Sequence, residues 1–405
     1  MTEATDSIRY RTGTHRIQNP QETLERVLPY KNSMGITRIA NVTGLDTIGI
    51  PVVMVCRPNA RSVSVSQGKG HTLEAAKVSG LMESVEGFHA EHISLPLRIA
   101  SQSDIQQTVN TANTELLPQV KGSLFNPHYP ICWIESEDIM NHESLWLPYE
   151  IVHTNYTAPR PSGSGCFHAS SNGLASGNST AEATVHGICE LIERDALSLW
   201  HQLNSTGIDR TSLNPATIDS ALCQNTMAKL EAADQNTCIW DITSDCAVPS
   251  YFCVIVDRHS DTQHIGVGSG THLSREVALL RALHEAVQVR TTYIVGARDD
   301  ITQHEYTSQG MNDKREYFSR FIRQSSFSAH YSRTADLHSD SVAQDLRQLL
   351  SQLQLCGLSQ VLRVDLRKPE YDIAVVRIVI PGLEAPHDDE DYVAGPRAKS
   401  LHRNK

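Results

Sequence analysis

The sequence predicts an α/β (α+β) fold, mixed β-sheets flanked by helices, and three observations predict it. A strand, a glycine turn and a helix follow one another three times along the chain. Residues 375–380 form a nearly unbroken apolar run of the kind a central strand carries. At 405 residues, with 40 % hydrophobic and 20 % charged residues, the chain can bury a large core between such layers.

Residues 36–40, 47–55 and 62–65 are short apolar runs separated by turn residues, and they lead into Gly68-Lys69-Gly70, read as strands feeding a tight turn. Residues 71–92 read as a helix, because Leu73, Ala76, Val78, Leu81, Met82 and Val85 recur at helical spacing. A stretch dense in Gly, Ser, Asn and Pro closes on Ser179, and Glu182 three positions later completes a capping-box pattern. The helix that follows is expected to run to about residue 200. Residues 251–256 are strand-like, and Gly266-Val267-Gly268-Ser269-Gly270 reads as the turn before a third helix at 274–295. Residues of about 301–360 are polar and helix-prone, with Leu346, Leu349, Leu350 and Leu353 at helical spacing, and are read as a peripheral helical segment. One domain is expected over 1–397, with 398–405 as a flexible tail.

A net charge of −11 disfavours nucleic acid and anionic membranes as partners. No run reaches the roughly eighteen apolar residues of a membrane helix, and Met1-Thr2-Glu3-Ala4-Thr5-Asp6 lacks the features of a secretory signal. The expected location is the cytosol. Nine cysteines, with no Cys-x-x-Cys pair, are read as reduced and mostly buried thiols, so neither structural zinc nor a catalytic thiol is assigned.

Chemistry is concentrated on the three helices. Ser79-x3-Glu83-x2-Glu86, His186-x3-Glu190-x2-Glu193 and Arg281-x3-Glu285-x2-Gln288 share one spacing, and residues four and three apart project from the same side of a helix. A further acid stands near the start of each: Glu74, Glu182 and Glu276. One such stripe is ordinarily the wet face of an amphipathic helix. Three of them, on helices otherwise rich in Ala, Leu, Ile and Val, point to a site. Carboxylates brought together need compensating cations, and hard divalent ions with oxygen ligands suit them; Mg²⁺ is usually held by a few carboxylates together with phosphates and water. Arg194 and Arg281 would then face the phosphates. His186 and His284 fit no zinc spacing and are read as packed residues or as residues that support a ligand without touching the metal.

The segments Ser79-Gly80-Leu81-Met82-Glu83-Ser84-Val85-Glu86, Gly177-Asn178-Ser179-Thr180-Ala181-Glu182 with Glu190-Leu191-Ile192-Glu193-Arg194-Asp195-Ala196, and Arg281-Ala282-Leu283-His284-Glu285-Ala286-Val287-Gln288 resemble the three ATP-binding motifs of the YcaO family. Pro381-Gly382-Leu383-Glu384 is similar to that family too, and the likeness covers residues of about 10–397. It implies a YcaO-type fold with an ATP pocket, ATP and Mg²⁺ as cofactors, and Mg²⁺ ligation by Glu83, Glu86, Glu190, Glu193 and Glu285. It implies nucleotide contacts at Lys69, Ser79, Asn178, Glu182, Arg194, Arg281 and Gln288. Gly87 departs from the family, many of whose members have Arg there.

The activity implied is ATP-dependent activation of a peptide or protein backbone amide, giving an azoline, an amidine or a thioamide according to the nucleophile. Azoline-forming members commonly end in Pro-x-Pro-x-Pro, whereas this chain ends Ala394-Gly395-Pro396-Arg397-Ala398-Lys399-Ser400-Leu401-His402-Arg403-Asn404-Lys405. That ending resembles members that install thioamides with a TfuA-like partner. No added N-terminal leader-binding domain is evident, which also points to a partner in substrate capture. A homodimer is the expected assembly. The competing expectation is a nucleotide-binding scaffold without catalysis.

Overall fold

The computed structural model describes residues 7–258, 265–323, 326–388 and 392–403. Its contacts divide the chain into two units, each assembled from separated stretches. The first takes residues 1–59, 63–84 and 203–341; the second takes 60–62, 85–202 and 342–405. The chain passes from one unit to the other several times, and one passage falls inside the helix Leu73–Glu91.

The first unit repeats one plan. Three antiparallel strands, Arg38–Asn41, Val52–Cys56 and Val65–Lys69, precede the helix Leu73–Glu91; three more, Gln235–Asp241, Ser250–Asp257 and Gly266–Thr271, precede the helix Arg275–Val295. Both sheets have the middle strand central. Val52, Met54 and Val65 join Tyr251, Cys253, Ile255, Leu279 and Leu283 in one buried cluster. Arg290, 2 % exposed, ties the third helix to both halves: its Nε donates to Asp46 at 3.0 Å and its Nη1 to Asp257 at 2.8 Å.

The expected glycine turns are corrected by this architecture. Gly68 and Lys69 close a strand, and Gly266 to Gly270 lie inside one, paired residue for residue with residues 255 to 251 of the strand Ser250–Asp257. Alternate residues of a strand share a face, so Gly266, Gly268 and Gly270 make one bare track. Ala278, Ala282 and Ala286, four apart on the helix Arg275–Val295, run along it. A Cβ at Gly268 would stand 2.3 Å from the Ala286 nitrogen and 2.4 Å from the Ala282 oxygen. Gly68 does the same for the first helix, where a Cβ would lie 2.0 Å from the Ala76 oxygen. These glycines exist for close approach of helix to strand, not for chain reversal.

The second unit is built on a six-stranded antiparallel sheet. Leu97–Ala100, Ile131–Asp138, Leu362–Asp365, Ala374–Val379 and Leu174–Gly177 follow in that order, and Glu143–Pro148 pairs with Ile131–Asp138. The helix Thr180–His201 packs on Leu174–Gly177, Ala374–Val379 and the helix Val342–Leu355. Ser179 caps it by accepting from the Glu182 N–H at 3.1 Å, as predicted; the Glu182 carboxylate reaches one residue further back, to the Asn178 N–H and Nδ2, both at 3.1 Å.

The segment 301–360 contains the helices Ser308–Arg323 and Val342–Leu355, and Tyr331 between them is buried in the core of the first unit, so the segment is not wholly peripheral. At the C-terminus Pro396–Arg403 forms a helix, and residues 404–405 of the expected flexible tail lie outside the described residues. All nine cysteines are free thiols, seven of them buried. Among the described residues no helix is long and apolar enough to cross a membrane.

Candidate functional site

In the first unit the stripes of the first and third helices come together. Lys69, at the end of its strand, donates to the Glu285 carboxylate at 2.7 Å. Gln67, two residues earlier and therefore on the same strand face, receives Gln288 Nε2 on its backbone oxygen at 3.3 Å, donates its N–H to Glu83 at 3.4 Å, and takes the Thr292 hydroxyl on its side-chain oxygen. Glu83 is open to solvent yet ringed by protein atoms, and desolvation raises its carboxyl pKa, with Arg298 and Lys69 pulling it back and Glu285 adding to the rise. Arg281 and Ser79, both half-buried, stand on the same two helices. His284 is buried and held neutral, its pKa pulled down to about 3 by burial and by the nearby His71 and Lys69. It is a packed residue.

The remaining candidates belong to the second unit. The Glu86 carboxylate accepts from the Ser176 N–H at 2.8 Å and from its hydroxyl at 2.6 Å, which fixes it against the strand Leu174–Gly177. Glu193 is 1 % exposed, and its Oε1 lies 3.8 Å from an Arg194 nitrogen. Glu190 is half-buried and acts electrostatically on Arg377, whose guanidinium burial pulls down to about 10 while Tyr156 and Glu190 hold it up. Asp195, fully buried, accepts two bonds of 2.9 Å from Arg397 and one of 2.9 Å from the Glu384 N–H. Desolvation raises its pKa and Arg397 lowers it. Glu384 in turn accepts from the Tyr392 hydroxyl and the Gly395 and Ala398 N–H groups, so the C-terminal helix is latched to Glu384 and Asp195.

Gln67, Ser176, Asp195, Arg298 and Arg377 were not among the predicted site residues. Arg377 had left a signal, since it is the one charged residue within the apolar run 375–380.

Among the described residues no three His, Cys, Asp or Glu side chains stand ready-made as a metal cage. Mg²⁺ usually completes its shell from phosphates and water rather than from an all-protein cage. The donors are all carboxylate oxygens, and Glu83, costly to ionise where it stands, is the kind of group a bound cation satisfies.

Comparison with known proteins decides the family. Residues 67–384 match the family model described as YcaO cyclodehydratase, ATP- and Mg²⁺-binding. The chain belongs to the YcaO family. It is an ATP-dependent peptide-modifying enzyme with ATP and Mg²⁺ as cofactors. An uncharacterized protein in the tfuA 3′ region of Rhizobium leguminosarum bv. trifolii is 31 % identical, over 96 % of this YcaO chain and 93 % of its own. The YcaO of Methanopyrus kandleri bound with AMPPCP and Mg²⁺ superposes with a TM-score of 0.77 at 21 % identity, over 97 % and 98 % of the two chains. A heterocyclase in complex with substrate and cofactor gives a TM-score of 0.75 at 19 % identity, covering 94 % of this chain and 55 % of the heterocyclase. The last two share the fold.

Proposed function

We propose that this chain activates the oxygen of a peptide backbone amide with ATP and Mg²⁺ and, with a TfuA-like partner and a sulfur donor, converts the amide to a thioamide. Sulfide adds to the amide carbon, the displaced oxygen takes the γ-phosphoryl group with release of ADP, and the carbon–oxygen bond then breaks. Phosphate leaves carrying the former amide oxygen, and loss of the sulfur-borne proton leaves the thioamide. The observation that carries the choice of product is the relative in the tfuA 3′ region.

Glu83, Glu86, Glu190, Glu193 and Glu285 are assigned to Mg²⁺, which when bound neutralises charge on the transferring phosphoryl group. Lys69, Ser79, Asn178, Glu182, Arg194, Arg281 and Gln288 are assigned to the nucleotide. Lys69 holds Glu285 in place and offers a positive charge at the strand end; Gln67 positions both Glu83 and Gln288. The enzyme is read as a cytosolic homodimer. Its peptide substrate is captured with help from the partner.

The test is incubation of the chain with ATP, Mg²⁺, sulfide, the TfuA-like protein and the peptide encoded beside it, followed by mass spectrometry with an ¹⁸O-labelled amide. An oxygen-to-sulfur mass change with label in the released phosphate is expected. Loss of water would support azoline formation, the reading that the family model's description favours. ATP binding with no product under any of these conditions would leave the scaffold.

A further inference from the structure

One charged residue of the second unit is unexplained by the nucleotide chemistry. Arg377 sits in the strand Ala374–Val379, opposite Val364 on one side and Leu174 on the other, and is 2 % exposed. Its Nη2 donates to the Ser170 carbonyl at 2.6 Å. Among the described residues Nε and Nη1 have no hydrogen-bond partner although both are buried. A guanidinium carries five N–H donors in a fixed fork, so leaving two nitrogens unmatched inside a sheet is costly unless something arrives to match them.

The side chain lines a small cleft together with His168, Ser170, Asn172, Leu191 and Glu384. Glu384 accepts from Tyr392, Gly395 and Ala398 of the C-terminal segment at 2.7–2.9 Å and does not accept from Arg377 Nε or Nη1. Among the described residues the Asn172 side-chain oxygen is buried without a partner as well. His153, whose Nε2 is buried and unpartnered among the described residues, feels the positive charges of Arg377 and Arg160. The cleft thus has a fixed cation on its wall; Tyr156 and Glu190 act on that cation electrostatically, yet neither accepts from Nε or Nη1.

We propose that this cleft is an oxyanion subsite, in which Arg377 binds a small carboxylate or phosphate group through Nε and Nη1. Arginine is suited to such groups because its fork matches two oxygens at once. Two sources share that chemistry: inorganic phosphate, and a carboxylate such as that of a peptide's acidic side chain or C-terminus. The subsite goes beyond the nucleotide reading and does not depend on it.

The test is calorimetric titration of the full chain with inorganic phosphate and, separately, with acetate, at constant ionic strength and with AMPPCP and Mg²⁺ already saturating. Failure of AMPPCP to bind would count against the ATP assignment alone, and the anion titration would still be read. One saturable site is expected, with the tighter probe naming the source. Arg377→Gln is expected to weaken that binding at least tenfold. Since Arg377→Gln can also disturb the sheet, Asn172→Asp provides a second arm: it places a carboxylate in the cleft beside the guanidinium, and should likewise weaken binding at least tenfold while raising the melting temperature. A wild-type chain that saturates with neither probe, its cleft holding water only, overturns the proposal. So does binding that survives unchanged in both variants.

Discussion

Replacing Gly268 with Ala tests whether the bare track of the strand Gly266–Thr271 sets the position of the site. The new methyl carbon would stand 2.3 Å from the Ala286 nitrogen, 2.4 Å from the Ala282 oxygen and 2.8 Å from the Glu285 carbon, where ordinary contact begins at 3.4 Å. The shortfall is about 1 Å. All three atoms are backbone, so no side chain can swing away, and the helix Arg275–Val295 must lift from its sheet. Overpacking of this sort costs about 1–3 kcal/mol and sometimes more; with backbone on both sides we expect about 3 kcal/mol or above. The same displacement carries Glu285 away from Lys69, now 2.7 Å distant, so nucleotide affinity should fall together with stability. Urea unfolding followed by circular dichroism, paired with AMPPCP titration, measures both. Gly44→Ala is the control: nothing lies within 4 Å of its Cβ, and a change under about 0.5 kcal/mol is expected. A Gly268→Ala chain that unfolds at the wild-type urea concentration and binds AMPPCP as tightly would refute the close-packing argument.

Arg290→Met leaves Asp46 and Asp257 without their shared buried cation and should destabilise by about 3–5 kcal/mol in urea; an effect under about 1 kcal/mol would mean the network is not a structural tie. Glu83→Gln removes a carboxylate whose ionised form the surroundings disfavour, so metal-free thermal stability should hold or rise while ATP-dependent turnover falls; a drop in both would assign Glu83 a structural part. His89, fully buried, places its Nδ1 proton on the Val85 carbonyl at 2.8 Å, and burial pulls its pKa from 6.5 to about 4. The unfolded chain therefore takes up the proton first, so stability is unaffected above pH 6.5 and is lost as pH falls from there towards 4, by on the order of 3 kcal/mol. His89→Gln should flatten that slope in urea titrations across the window, and an unchanged slope would remove His89 from the account.

The helices were legible because their signals are local. Apolar spacing located Leu73–Glu91, Thr180–His201 and Arg275–Val295 to within a few residues, and Ser179 announced the start of the second. The glycines misled, because a Gly-x-Gly run satisfies both a turn and a strand face pressed against a helix. What separates the two is the alanine stripe at 278, 282 and 286, a pattern in a different element that is meaningful only once the pairing is known. Within the candidate site, Glu83, Glu285 and Gln288 declared themselves through spacing. Gln67 did not: it acts largely through its backbone N–H and carbonyl, which any residue there would present, so its type carried no message. Arg377 was visible as an interruption in an apolar run, but its unmatched nitrogens are a property of the sheet around it.

The way the chain threads its two units has a consequence for biosynthesis. On a ribosome the strands Leu97–Ala100, Ile131–Asp138 and Leu174–Gly177 emerge long before Leu362–Asp365 and Ala374–Val379, which lie between them in the finished sheet. At about 5–20 residues per second, the interval leaves unpaired strand edges waiting for roughly ten seconds or more. Such edges recruit foreign strands. Nascent chains stalled after about residue 340 should accordingly be the species that chaperones hold and that inclusion bodies collect.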